Sequence, residues 1–359
     1  MLTGLRLRRP NRRTWIAAAL GLLVSVGLGG CSLYPKSIVV YTFDGYFDPS
    51  VIRLFELETG TLVRVETYKN NAELVSRLKV SWGEFDVVVP SDHELDYLIN
   101  SQLIVPLDKK KIPNYRNISP VFTPPDFQKE LAYAVPYFWM TLGIGYRAGE
   151  GTPPNNWKDF FSKDAMSAYS GRISLINEVQ ETMGLAAIAD GFHPNTTDEH
   201  ELDVIRARLM DYKKLQPHLS STSVEGLIAG TASVALCWTP AAVEASLDDP
   251  KIKVIVPTRE TICIVDTLAI SASSRKKAEA EKFINFMLRP DIAARLTDYS
   301  KFPTTVTNSL ALVDPVLRNN PAYVLPEPKS LYVLRGITEK RYLYDAIWAA
   351  FTKGLIIDD

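Results

Sequence analysis

The spacing of apolar positions changes period several times along the chain, and the changes mark out elements. Residues 38–43 are an apolar, β-rich run that predicts a buried strand. Asp48-Pro49 follows, an N-cap with proline at the first helical position, and opens an amphipathic stretch through Val51, Leu54, Phe55 and Leu57. Gly60 stops that helix. Residues 62–68 read as a second strand, 71–78 as a helix and 85–89 as a third, buried strand. This β-α-β-α-β opening predicts an open, largely parallel sheet with helices on both faces. Such sheets bind ligands at the carboxyl ends of their strands. Asp44-Gly45-Tyr46 and Pro90-Ser91-Asp92-His93 occupy two such ends.

The alternation returns in the second half. Residues 172–176, 233–238 and 254–257 read as strands, 201–215 as a long helix, and 269–272 as the end of a further strand. Residues 276–289 form an amphipathic helix with Phe283, Ile284, Phe286 and Met287 on its apolar side. Proline-rich stretches at 123–125, 153–154 and 325–328 are loop signals. The pattern predicts two α/β lobes, each a mixed, mostly parallel sheet flanked by helices.

The amino terminus follows a different logic. Arg6, Arg8, Arg9, Arg12 and Arg13 precede an apolar run over residues 15–26, and Leu28-Gly29-Gly30 lead into Cys31. A charged region, an apolar region and small residues at a cut site make a secretory leader. The cysteine placed directly after them resembles the lipobox of bacterial lipoproteins, which implies lipid attachment at Cys31 after cleavage. Residues 1–30 are then the signal peptide and 31–37 a lipid-anchored tether, and the protein is expected outside the cytoplasm. Removing the five leader arginines leaves 35 basic against 41 acidic residues, a net charge of −6. That balance argues against nucleic acid and favours a cationic ligand. Cys237 and Cys263 are compatible with one disulfide or with two buried thiols.

Enzyme chemistry finds little support. His93, His193, His200 and His218 are scattered outside any metal-ligand spacing, and the chain lacks GxSxG, P-loop, GxGxxG and CxxC motifs. No cofactor and no metal are expected. Glu178 and Glu181 are paired carboxylates at i, i+3; alone they read as a solvated helix start. Asp266 lies inside the apolar stretch ICIVDTLAI, where a carboxylate needs a partner.

Five segments in order, VVYTFDGYFDPSVIRLFELETG (39–60), FDVVVPSD (85–92), YAVPYFWMTLGIGYR (133–147), VALCWTPAA (234–242) and VDTLAISASSRKKAEAEKFINFMLRPDIA (265–293), resemble the spermidine/putrescine-binding proteins of bacterial ABC importers. The resemblance implies the two-lobe type II periplasmic-binding-protein fold, with residues 38–142 and 266–310 in one lobe and 143–265 and 311–359 in the other. It also implies hinge closure on a polyamine, spermidine or putrescine, without covalent chemistry, and delivery by a monomer to permease subunits in the membrane. By position it places Phe43, Asp44, Tyr46, Ser91, His93, Glu178, Glu181, Trp238 and Asp266 around the ligand. Carboxylates would pair with ammonium groups and rings would cover the methylenes.

The chain also departs from that pattern. Ile264 stands where the family often has tryptophan, His93 where it has tyrosine, and Gly45 where it has an acid, with Asp44 beside it as a substitute. Leu334 and Arg335 fall near a family glutamine and are not assigned, since an arginine facing a cation is unfavourable. These differences leave three alternatives: another cationic ligand, ferric ion on the same fold, or a non-transport sensor lipoprotein.

Overall fold

The computed structural model describes residues 36–124, 127–257, 260–324, 331–337 and 340–358. The expected leader (1–30) and the lipid site at Cys31 lie outside the described residues. Strands are β1 (Lys36–Phe43), β2 (Thr61–Tyr68), β3 (Val87–Val88), β4 (Ile104–Val105), β5 (Ala134–Arg147), β6 (Ile173–Ile176), β7 (His218–Ser220), β8 (Val234–Trp238), β9 (Ile252–Ile255), β10 (Thr261–Ser271), β11 (Leu331–Val333) and β12 (Ile357–Asp358). The longer helices are α1 (Pro49–Thr59), α2 (Asn71–Val80), α3 (Val179–Ala189), α4 (Glu199–Tyr212), α5 (Thr239–Asp248), α6 (Lys277–Met287), α7 (Pro290–Ser300) and α8 (Arg341–Thr352).

Local chemistry accounts for the opening. Asp48 accepts the Ser50 N–H at 2.7 Å and caps α1, while Gly60 ends the helix at φ 68°, a conformation that suits glycine. Val51 and Phe55 turn inward from α1. Asn70 caps α2 through the Glu73 N–H at 2.9 Å. The third strand is shorter than the 85–89 expected. Only Val87–Val88 pair as a ladder, although Asp86 and Val89 still donate to Val39 and Tyr41 carbonyls. Pro90 then ends the extended run.

The strands form one continuous sheet in the order β12-β7-β6-β8-β5-β10-β3-β1-β2, with β11 and β4 also on β10 and β9 also on β5. The outer ladders are parallel (β1 with β2 and β3, β6 with β7 and β8). The crossing ladders of β5 and β10 are antiparallel to each other and to β3, β4, β8 and β9. Apolar packing divides accordingly. One set of cores gathers Val40, Phe55, Phe138 and Phe283, with Tyr41 and Phe85 on the other face of that half. A second core gathers Leu142, Phe160, Met183, Leu209 and Phe351. β5 and β10 contribute to both sets, so each long strand is shared between the lobes.

The sequence pattern missed β5 as a strand and saw only the start of α3, for one reason. Both are buried on nearly every side, so neither shows a period. In α3 a helical residue without a side chain is required: a Cβ on Gly184 would lie 2.9 Å from Ile262 Cδ1 and 3.2 Å from Pro194 Cβ. Cys237 and Cys263 are free and buried, on strands at opposite sides of β5, which resolves the two open readings in favour of thiols.

Candidate functional site

The site is built around a break in the β5–β10 ladder. Asp266 opposes Phe138, but Thr267 opposes Pro136, so one residue of β5 is skipped. Proline has no N–H to offer a ladder, and such a bulge re-aims the strand beside it. At this point β10 meets the loop that follows β3. Ser91 and Asp266 form an isolated bridge, and Thr267 donates its N–H and hydroxyl to the Pro90 carbonyl at 2.8 and 2.9 Å.

Asp266 is 1% exposed. One carboxylate oxygen accepts from Ser91 Oγ at 2.6 Å and the other from the Tyr46 hydroxyl. Asn71, at the start of α2, fixes Ser91 by donating to its Oγ at 3.0 Å and accepting its N–H at 3.2 Å. Burial raises the Asp266 pKa to about 6 and nearby Asp92 adds to the rise, while the two hydrogen bonds and His93 oppose it. Both bonded donors are neutral hydroxyls, so the carboxylate is held in place without its charge being cancelled by them.

Aromatic rings surround Tyr46, which holds this carboxylate. Tyr46 lies 5.3 Å from Phe43, 4.8 Å from Phe302 and 5.4 Å from Phe138 between ring centroids. Phe43 in turn packs at 4.5 Å on Tyr68. Phe43 is half-buried, whereas Tyr46 is buried, its ring in the first lobe's core and its hydroxyl on Asp266.

The second acidic region lies on α3. Glu178 is its N-cap residue and Glu181 sits in the first turn, where the helix dipole favours negative charge. Glu181 is 7% exposed and Glu178 half-buried, so the solvated helix start expected from spacing alone is corrected: these acids point into packed surroundings. Burial, then Glu181, raise the Glu178 pKa to about 8 against the pull of His93 and Arg341. Burial also raises Glu181, opposed chiefly by His93. His93 belongs to the other lobe, on the short turn Asp92–Glu94, and its field at Glu181 brings the two acidic regions into one electrostatic neighbourhood.

The remaining candidates diverge. Trp238 ends β8, half-buried against the second core. Asp44 is exposed at the turn after β1 and opens, with Thr67, Arg53 and Tyr299, onto a groove of about 540 Å³ beside β2. It is Tyr46, two residues on, that reaches Asp266 from this turn. Ile264 is buried in the second lobe's core, so the ring expected at that position is replaced by packing.

Sequence reasoning missed Asn71, Asp92, Phe302 and Arg341. Asn71 and Asp92 carried a signal, since both stand at strand or helix ends beside assigned residues. Phe302 and Arg341 had none; only the fold carries them to the site. Arg335, left unassigned, lies at 4.7 Å over the ring of Phe127, which is part of the first half's core. Its carbonyl accepts from Gln180 of α3 at 2.7 Å. A buried carboxylate beside a cluster of rings, and a second acidic pair within the field of His93, are chemistry suited to a cation carrying apolar carbon. Among the described residues, no three His, Cys, Asp or Glu side chains converge as a metal site would require.

Comparison with known proteins agrees with the architecture. The spermidine/putrescine-binding periplasmic protein of Escherichia coli (strain K12) is 28% identical over 322 residues, spanning 88% of this chain and 89% of its own. The putrescine-binding periplasmic protein PotF of the same organism is 26% identical over 335 residues, spanning 88% and 90%. Among solved structures, the spermidine/putrescine ABC transporter substrate-binding protein PotD of Streptococcus pneumoniae superposes with a TM-score of 0.80 at 24% identity, covering 89% of this chain and 99% of that one. The fold is therefore the two-lobe periplasmic-binding-protein fold. A family model described as bacterial extracellular solute-binding protein matches residues 51–324, and the chain belongs to that family.

Proposed function

We propose that this protein captures a polyamine in the cleft between its lobes, outside the cytoplasm, and delivers it to the membrane subunits of an ABC importer. The observation that carries the reading is Asp266, a buried carboxylate oriented by Tyr46 and Ser91 at the strand shared by both lobes. Curated relatives named for spermidine and putrescine binding support the ligand class. In this reading one ammonium pairs with Asp266 and another with Glu178 and Glu181. Phe43 and Trp238 flank the methylenes, and Ser91 and His93 border the pocket; Asp44 stands at its rim.

The lobes divide within β5 and β10, at 142/143 and 265/266, and close on the ligand by population shift. The protein acts as a monomer, performs no covalent chemistry, and is held to the membrane by lipid on Cys31. Calorimetric titration of the full chain in detergent with putrescine, cadaverine, spermidine and spermine tests the reading. One-to-one binding of any of them with a Kd of about 1 μM or tighter supports it. A folded sample, stripped of carried-over ligand, that gives no heat with any of the four refutes it. Labelling of the cells' lipoproteins with a palmitate analogue tests the anchor, which Cys31→Ser would abolish.

A further inference from the structure

Both ring nitrogens of His93 face carboxylates. Nδ1 lies 3.7 Å from Asp92 Oδ1, and Nε2 lies 3.9 Å from Glu94 Oε1. A neutral imidazole has one donor and one lone pair, so one of these approaches would set a lone pair against an anion. Only the imidazolium presents an N–H in both directions. The side chain is 14% exposed, enclosed enough for its charge to act on neighbours with little screening. Those neighbours come from several elements: Asp92 and Glu94 on its own turn, Glu178 and Glu181 on α3, and Asp266 on β10; Arg341 on α8 acts on the same α3 acids.

We propose that His93 is a resident cation of the cleft that takes up part of the acidic charge of Glu178 and Glu181, so that the site selects a diamine over a triamine. The inference rests on the polyamine reading and narrows it to a charge class. A diamine places one ammonium against Asp266 and one against the α3 acids. A triamine must bring a third positive charge into a cleft where His93 already holds one, and like charges at that range repel. Burial alone would discharge the ring, but Asp92, then Glu181 and Glu94, outweigh it and keep His93 charged up to about pH 9. The repulsion is therefore present throughout the pH range well below about 9 and fades as pH rises through that value.

The test is paired titration of the full chain with putrescine and spermidine, for wild type, His93→Gln and His93→Lys. Wild type and His93→Lys are expected to bind putrescine at least about tenfold more tightly than spermidine, and His93→Gln to recover about tenfold in spermidine affinity. Between about pH 7 and pH 9.5, at fixed ionic strength, the preference should shrink more in wild type than in His93→Lys, where only the amines themselves lose charge. An unchanged putrescine-to-spermidine ratio in His93→Gln overturns the proposal while leaving polyamine binding intact. Binding of no amine by wild type overturns the polyamine reading and this inference together. Ring ¹⁵N shifts of His93 at about pH 8 decide the matter without ligand: an imidazolium signature supports the proposal and a neutral tautomer overturns it.

Discussion

A carboxylate withdrawn from water needs hydrogen bonds, and Asp266 receives them from Tyr46 and Ser91 rather than from a resident base. That choice keeps its charge available. Asp266→Asn should weaken polyamine binding at least about tenfold by calorimetry while circular dichroism stays unchanged. The pH dependence of stability follows from the same residue. Its folded pKa of about 6 stands above the ordinary 3.8, so its contribution is present below 3.8 and lost as pH rises through about 6. Thermal midpoints measured across that window should fall less steeply in Asp266→Asn than in wild type. Glu178, raised to about 8, is largely protonated in the empty cleft at neutral pH. A bound cation favours its ionised form, so binding near pH 7 should release a proton, read as a dependence of the calorimetric enthalpy on the buffer's own ionisation heat. Asp266 was legible because an acid in an apolar run demands an explanation. The burial of Glu181 was not, because two acids at a helix start look the same whether they face water or a cleft.

Among the elements, α3 has the most direct bearing on the site. Its close approach to Ile262 and Pro194 at Gly184 sets where Glu178 and Glu181 stand. Gly184→Val should cost about 2 kcal/mol by overpacking and also weaken cation binding, since the helix must shift away from β10. Asp48→Ala makes the useful contrast. Loss of the α1 cap should cost about 1 kcal/mol in urea unfolding with affinity unchanged. The pair separates stability from site geometry. Helices with a polar face, such as α1 and α6, were readable from their period, and their caps from Asp48-Pro49 and Gly60. The wholly buried β5 and α3 were not, and these two elements carry the bulge beside Asp266 and the second acid pair. The parts hardest to read in the sequence are thus the ones that bring the site together.

For the whole molecule, the shared strands set the scale of cooperativity. Because β5 and β10 pair with each other and enter the cores of both lobes, heating should give a single unfolding transition followed by both tryptophan fluorescence and far-ultraviolet dichroism. Ligand at about 100 times its Kd should stabilise that transition by about 2.7 kcal/mol. Two separated transitions, with ligand moving only one, would show that the lobes are not coupled through those strands.

The chain's path between the lobes also bears on how the protein is made. The first lobe opens at Lys36 but is completed only by residues such as Ile270, Phe283, Ile292 and Val306. A ribosome must therefore release roughly 260 residues before β10, one of the two strands shared by the lobes, exists at all, and early closure of the first lobe is not available to the nascent chain. Late completion of the first lobe keeps the chain open for longer, which suits a member of an extracytoplasmic family to export as an unfolded thread.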